Sequence, residues 1–174
     1  MSKRELGGCT LLVALLVFVD FALKSLVLAY IPKAVGSYPY GGVGVFQHFF
    51  GIECSVIHVT NTGAAWSFFS EYPGRLLIVR FAMVFLLACY LFFGNHRFAT
   101  AVPLSLILAG AVGNIIDNIL YGHVIDMFSF VFWGYHYPVF NLADAFITMG
   151  VGWLLCHSFV HKKKRLVDGE DCAS

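Results

Sequence analysis

Gly110–Phe130 reads G-A-V-G-N-I-I-D-N-I-L-Y-G-H-V-I-D-M-F-S-F, and a little further on Phe140–Asp144 reads F-N-L-A-D. Three of the chain's 10 acidic residues, Asp117, Asp126 and Asp144, fall in this window among Leu, Ile, Val and Phe. A carboxylate in apolar surroundings gives up its hydration, so each of the three needs a partner or a purpose. Gly110, Ala111 and Gly113 suit close packing against another membrane helix. Asn114, Asp117 and Asn118 follow at helical spacing and share one face. In a bilayer such a face must find hydrogen-bond partners, which predicts a network across helices.

Outward from this window the chain is apolar. Of 174 residues, 59% are hydrophobic and 12% charged, roughly half the charged share of an average soluble protein. A mean hydropathy of +0.80 agrees, and the net charge of +1 gives no ground for nucleic-acid binding. Spanning a hydrocarbon core of about 30 Å takes roughly 20 helical residues. Four segments are long enough: about 11–30, 75–93, 98–121 and 139–160. Lys3 and Arg4 precede the first, Arg97 lies between the second and third, and Lys162, Lys163, Lys164 and Arg165 follow the fourth. The loop 122–138 has no Lys or Arg, and the loop 31–74 has only Lys33. The positive-inside rule then places both termini in the cytoplasm, with a basic tail over 161–174, and both larger loops outside.

The first span follows basic residues as a signal peptide would, yet it lacks a small-residue exit and carries Asp20 and Lys24, so a retained helix is expected. L-G-G-C at Leu6–Cys9 resembles a lipobox, but the apolar run follows its cysteine instead of preceding it. The five cysteines show neither a disulfide framework nor metal spacing, and read as apolar filler.

Asp20 and Lys24 are four apart and can neutralise each other on one helix face. Asp20 could also order groups from another helix. In the first outer loop V-G-V-F-Q-H-F-F and E-C-S-V-I-H-V-T, broken by Gly51, predict a hairpin. The aromatic run Phe128–Tyr137 also has a central Gly and can join the same sheet. An aromatic anchor at the interface and a substrate cradle are both compatible with it. N-T-G-A-A-W-S, Asn61–Ser67, reads as a tight turn or as a strip that holds an extended peptide. Arg80, a few residues inside the second span, reads first as an arginine snorkelling to the interface. The expected fold is an α-helical polytopic membrane protein, with four transmembrane helices and a small extracytoplasmic β-sheet, a cradle built from the two outer loops. All of it belongs to one membrane domain, 1–174.

Asp126, just beyond the third span, and Asp144, one turn into the fourth, are expected at the same depth near the outer surface. Two carboxylates placed close together share a proton and titrate as a unit. One can then take a proton from water while the other protonates a scissile carbonyl. Two separately satisfied acids are the plain alternative. A proton-coupled transporter would use Asp20, Asp117 and Asp144 as a relay, but no repeated halves are found. A metallopeptidase would draw on His48, His58, His123 and His136, but no H-E-x-x-H stands on a span.

Taken together, Asp20 with Lys24, N-T-G-A-A-W-S, G-A-V-G-N-I-I-D-N, G-H-V-I-D-M-F and F-N-L-A-D resemble the lipoprotein signal peptidase (signal peptidase II) family of intramembrane aspartyl proteases, over nearly the whole chain. The resemblance implies catalytic aspartates at Asp126 and Asp144. It implies supporting or substrate-contacting roles for Asp20, Lys24, Asn61, Gly63, Asn114, Asp117, Asn118, Asn141 and Ala143. It further implies that diacylglyceryl-modified prolipoproteins are cut just before the modified cysteine, with no metal or cofactor. Membrane lipid and globomycin-type inhibitors are the implied partners, and the expected setting is a monomer in the bacterial cytoplasmic (inner) membrane. One position departs from the family pattern: Asn118 stands where an Arg is usual. Arg80 is the candidate for a substitute charge.

Overall fold

Four helices and one sheet make up the computed structural model, which describes residues 2–34, 42–62, 73–94 and 96–170. Helix α1 (Lys3–Tyr30) begins with a reciprocal capping box between Ser2 and Glu5, which satisfies two backbone donors of its first turn. It is followed by α2 (Pro73–Phe93), α3 (Phe98–Tyr121) and α4 (Leu142–Glu170). Three of these are long and apolar enough to cross a membrane, and α2 adds an apolar stretch over Leu77–Phe93.

Helix α3 is the centre, packed against α1, α2 and α4. Small residues let the backbones come close. A Cβ on Gly110 would run into the Ala143 carbonyl of α4, and one on Gly150 would lie 2.6 Å from the Pro103 carbonyl of α3. Cys9, Leu91, Ala101, Leu104 and Leu108 fill the contact among α1, α2 and α3. The outer faces carry bare Phe18, Phe85, Leu86 and Phe159. In water that would be a fault; against lipid tails it is the expected surface.

The strands β1 (Val43–Phe49), β2 (Ile52–Asn61), β3 (Val124–Phe132) and β4 (Tyr135–His136) form one antiparallel sheet in the order β1-β2-β3-β4. The expected hairpin is present, and the second outer loop does join it. Phe50 and Gly51, at φ 51° and 79°, make the first turn, and Trp133 and Gly134, at φ 49° and 84°, make the second. Such left-handed pairs match the right-handed twist of the flanking strands. Gly51 has a further reason to be Gly, because a Cβ there would meet the Trp133 ring at 2.6 Å.

Two boundaries differ from the sequence-based expectation. The fourth helix starts at Leu142 instead of near Val139, because Phe140 forms a bridge with Phe128 of β3 and Asn141 caps the helix. That helix also continues to Glu170, through the stretch expected to be a basic tail. Asp126, expected just beyond the third span, lies in strand β3.

Candidate active site

Helix α3 ends at Tyr121 on Gly122, whose φ of 74° is the left-handed conformation that stops a helix without steric cost. The chain turns at once into β3, which puts Asp126 beside the end of α3. From the other direction the Phe140 bridge carries the chain back along β3: the N–H groups of Met127 and Phe128 donate to the Phe140 carbonyl at 3.0 and 2.8 Å. The next residue, Asn141, therefore lands beside Asp126.

Asn141 is the hub. Its side-chain carbonyl accepts the Asp144 N–H at 2.9 Å, while Asp144 Oδ2 accepts the Asn141 N–H at 3.3 Å, a reciprocal cap on α4. Its amide nitrogen donates to Asp126 Oδ1 at 2.8 Å and to Asn114 Oδ1 at 3.1 Å. Asn114 in turn donates to Asp144 Oδ1 at 2.8 Å. Asn61, at the end of β2, donates to Asp126 Oδ2 at 3.2 Å. Side-chain amides thus bind both carboxylates and link them through Asn141.

Beneath this layer lies a buried ion triad. Lys24 Nζ is 2.7 Å from Asp20 and 2.7 Å from Asp117, with all three side chains almost wholly enclosed. Lys24 also donates to Asn114 Oδ1 at 3.2 Å. Both acids also take a backbone N–H: Asp20 Oδ1 accepts that of Ala143 at 2.9 Å, and Asp117 Oδ2, the oxygen paired with Lys24, accepts that of Ile125 at 3.2 Å. Gly113 keeps α3 close enough, since a Cβ there would stand 2.7 Å from the Asp20 carboxylate.

Asp126 is 3% exposed. Burial, and after it the nearby charge of Asp144, push its carboxyl up to about 7, against the hydrogen bonds from Asn61 and Asn141 that favour the carboxylate. Both aspartates line a cavity of about 730 Å³ with Asn61, Asn114, Arg80 and Tyr137 as its other polar residues. Met83, Val84 and Leu87 of α2, Ile107, Ala111 and Ile115 of α3, and Val139 and Phe140 make most of the rest. Phe140 stacks on Phe130, and Tyr137 stands edge-on to Phe140 and Phe132. Such a site can hold an apolar guest against two carboxyl groups.

Of the residues singled out in the sequence, Asp20, Lys24, Asn61, Asn114, Asp117, Asp126, Asn141, Ala143 and Asp144 join in this one network. Ala143 takes part through its backbone alone. Asn118 turns away: its amide donates to the Asn114 carbonyl of its own helix at 2.7 Å, and it does not line the cavity. Gly63 and the rest of the Asn61–Ser67 strip beyond Thr62 lie outside the described residues. Arg80 lines the cavity, which snorkelling to the interface did not predict. The apolar lining residues were not foreseen, and no sequence signal marks them, since a Leu facing a cavity and a Leu facing lipid look alike. Among the described residues no three His, Cys, Asp or Glu side chains gather as metal ligands.

The fold and site define a polytopic membrane protein whose acids meet in an apolar cavity beneath a small sheet. Residues 12–160 match the family model described as Signal peptidase (SPase) II. The lipoprotein signal peptidase of Chlamydia trachomatis serovar D is 36% identical over 155 residues, covering 87% of this chain and 90% of that one. That of Cupriavidus pinatubonensis is 39% identical over 150 residues, covering 80% and 81%. A bacterial membrane enzyme solved by the in meso method at 2.3 Å resolution superposes with a TM-score of 0.76 at 25% identity, covering 91% of this chain and 92% of that one. A second such structure, at 1.9 Å resolution, gives 0.71 at 27% identity, covering 87% and 92%. The chain belongs to the signal peptidase II family and is a membrane-embedded peptidase.

Proposed function

We propose that this protein is an endopeptidase that removes signal peptides from diacylglyceryl-modified prolipoproteins, cutting just before the lipid-modified cysteine with a water activated by Asp126 and Asp144. The observation that carries it is the joint hold of Asn114 and Asn141 on both carboxylates that line an apolar cavity. Paired acids sharing one proton need neither metal nor cofactor to hydrolyse a peptide: one accepts a proton from water and the other donates to the carbonyl. The names of the relatives support the substrate class. The apolar lining supports it too, because a signal peptide and two acyl chains are apolar guests.

The chain then sits as one domain in the bacterial cytoplasmic membrane, both termini inside, with the sheet and the aspartates at the outer face. The basic residues at both ends support that orientation. A globomycin-type cyclic peptide would compete for the cavity. Purified protein should cleave a diacylglyceryl-modified prolipoprotein in the presence of EDTA and lose the activity in both Asp126→Asn and Asp144→Asn. Retention of turnover in either variant, or its loss with EDTA alone, would overturn the dyad.

A further inference from the structure

The sheet reaches past the helix it rests on. Helix α1 ends at Tyr30, and the chain joins the sheet at once: the Ile31 carbonyl lies 3.1 Å from His58 Nδ1, and the Ala34 N–H donates to the His58 carbonyl at 2.8 Å. Val27, near the end of α1, packs with Ile125 and Met127, and Val56 and Phe128 close the same cluster. Val56 and Phe128 are register partners, so β2 and β3 cross α1 there. Past the crossing the two strands run on together to Ile52 and Phe132, roughly 13 Å further.

Two turns close this overhanging end side by side. One is Phe50–Gly51 and the other Trp133–Gly134, tied by the Trp133 N–H, which donates to the Gly51 carbonyl at 2.8 Å. Phe50 is 81% exposed and Trp133 76%. The Phe49 ring stands edge-on to Phe50 with centroids 4.9 Å apart, and Val43 and Val45 of the edge strand are also bare. Both turn aromatics hold a positive φ, which costs a bulky side chain and which Asn or Gly would adopt with less strain. Edge strands that face water are usually guarded by Lys or Pro. β1 reads V-G-V-F-Q-H-F and has neither, and its His48 faces Glu53 of β2 at 3.4 Å.

The helix ends fix the level of this overhang. Helix α1 meets β2 through Ile31 and Ala34, α3 ends at Tyr121 just before β3 begins at Val124, and Phe140 of the Phe128 bridge leads into α4 at Leu142. Spanning helices end where the hydrocarbon ends, so a sheet joined directly to three of them lies at headgroup level. Leu26 and Tyr30 near the end of α1 are bare too, as a helix flank against lipid is. Aromatic rings settle at that boundary. We propose that the paired turns at Phe50 and Trp133 are a lipid anchor, whose rings insert at the headgroup–acyl boundary of the leaflet on the sheet's side, beyond α1. The anchor rests on helices that cross the bilayer and not on the peptidase chemistry proposed above. The same two strands carry Asn61 and Asp126 near their other ends, so the anchor sets the tilt of the sheet and with it the depth of those side chains.

The test uses the chain's own fluorescence. Of its 3 tryptophans, Trp66→Phe with Trp153→Phe leaves Trp133 alone. The full chain is placed, one copy each, in phosphatidylcholine bilayer discs. Lipids brominated near the glycerol end or near the middle of the acyl chain quench from within the bilayer, and iodide quenches from water. Trp133 emission should fall about twofold with the shallow bromine, less with the deep one, and hardly with iodide. A second variant, Trp66→Phe with Trp133→Phe, keeps Trp153 on the bare flank of α4 as the control, and it should respond to the deep bromine. With that control responding, iodide quenching of Trp133 without any bromine effect would overturn the anchor and leave the tip in water. Trp133 shielded from both quenchers only in discs that hold two copies would overturn it too, and assign the turns to a contact between chains.

Discussion

Asp20 on α1 accepts the backbone N–H of Ala143 at 2.9 Å, and Ala143 is the residue immediately before Asp144. Asp117 on α3 accepts the N–H of Ile125, the residue immediately before Asp126. Lys24 joins the two acids at 2.7 Å each. Three buried charges thus hold the two backbone segments that present Asp126 and Asp144, the proposed dyad. Positions fixed in advance are what a proton-transferring pair requires, because a misplacement of about 1 Å can cost a hundredfold in rate.

Removing the cation from this triad should be severe. Lys24→Met leaves two buried carboxylates facing each other, at a cost of roughly 3–5 kcal/mol. Thermal unfolding in detergent should show the loss, with cleavage abolished at temperatures where the variant is still folded. A triple variant, Asp20→Asn with Lys24→Met and Asp117→Asn, should recover much of the stability but not the activity. Equal destabilisation in the single and triple variants would show that the charges matter little.

Asn141 separates capping from bridging. Asn141→Ser keeps an oxygen able to cap α4 and loses the amide that links Asp126 to Asn114. Its stability should lie within about 1 kcal/mol of wild type, whereas Asn141→Ala should lose about 1 kcal/mol more for the missing cap. Both should lose at least tenfold in kcat. Wild-type turnover by the Ser variant would leave the bridge without a catalytic role.

Stability should fall as pH rises from acidic to neutral. Asp126 has a folded pKa of about 7, above the unfolded value of about 3.9. For a group raised in this way the folded state binds the proton more tightly, so the stabilisation is complete below the unfolded value and is lost as pH rises through the folded one. The melting temperature should drop between mildly acidic and mildly alkaline buffer, and Asp126→Asn should flatten that dependence. If the proposed pair works with one shared proton, the cleavage rate should decline as pH rises past about 7. A slope unchanged in Asp126→Asn would mean that another group is responsible.

Gly110→Ala tests the seam between α3 and α4. Its methyl group would run into the Ala143 carbonyl, backbone that cannot swing aside. The overpacked seam should cost about 1–3 kcal/mol, and the displaced Ala143 should carry Asp144 with it. A Gly7→Ala control, where the added methyl meets nothing, should leave cleavage unchanged. Wild-type stability and activity in Gly110→Ala would show that the two helices stand further apart.

The placement of polar residues in apolar sequence made much of this protein legible. Long apolar runs fix helices, because only internally bonded backbone survives in lipid. Asp20 and Lys24 four apart, and Asn114 and Asp117 three apart, fix which helix faces turn inward. The Phe–Gly and Trp–Gly turns likewise announce a sheet.

Convergence was decided only in three dimensions. No spacing says that Phe140 pairs with Phe128, yet that bridge starts α4 at Leu142 and sets Asn141 against Asp126. Nor does any spacing send Arg80 into the cavity while Asn118 folds back on its own helix. The reason is physical. Burial and hydration set which segments enter the membrane, and these depend on composition, which is local. Which polar group meets which depends on how closely Gly110, Gly113 and Gly150 let the helices approach, and that is settled when the helices pack.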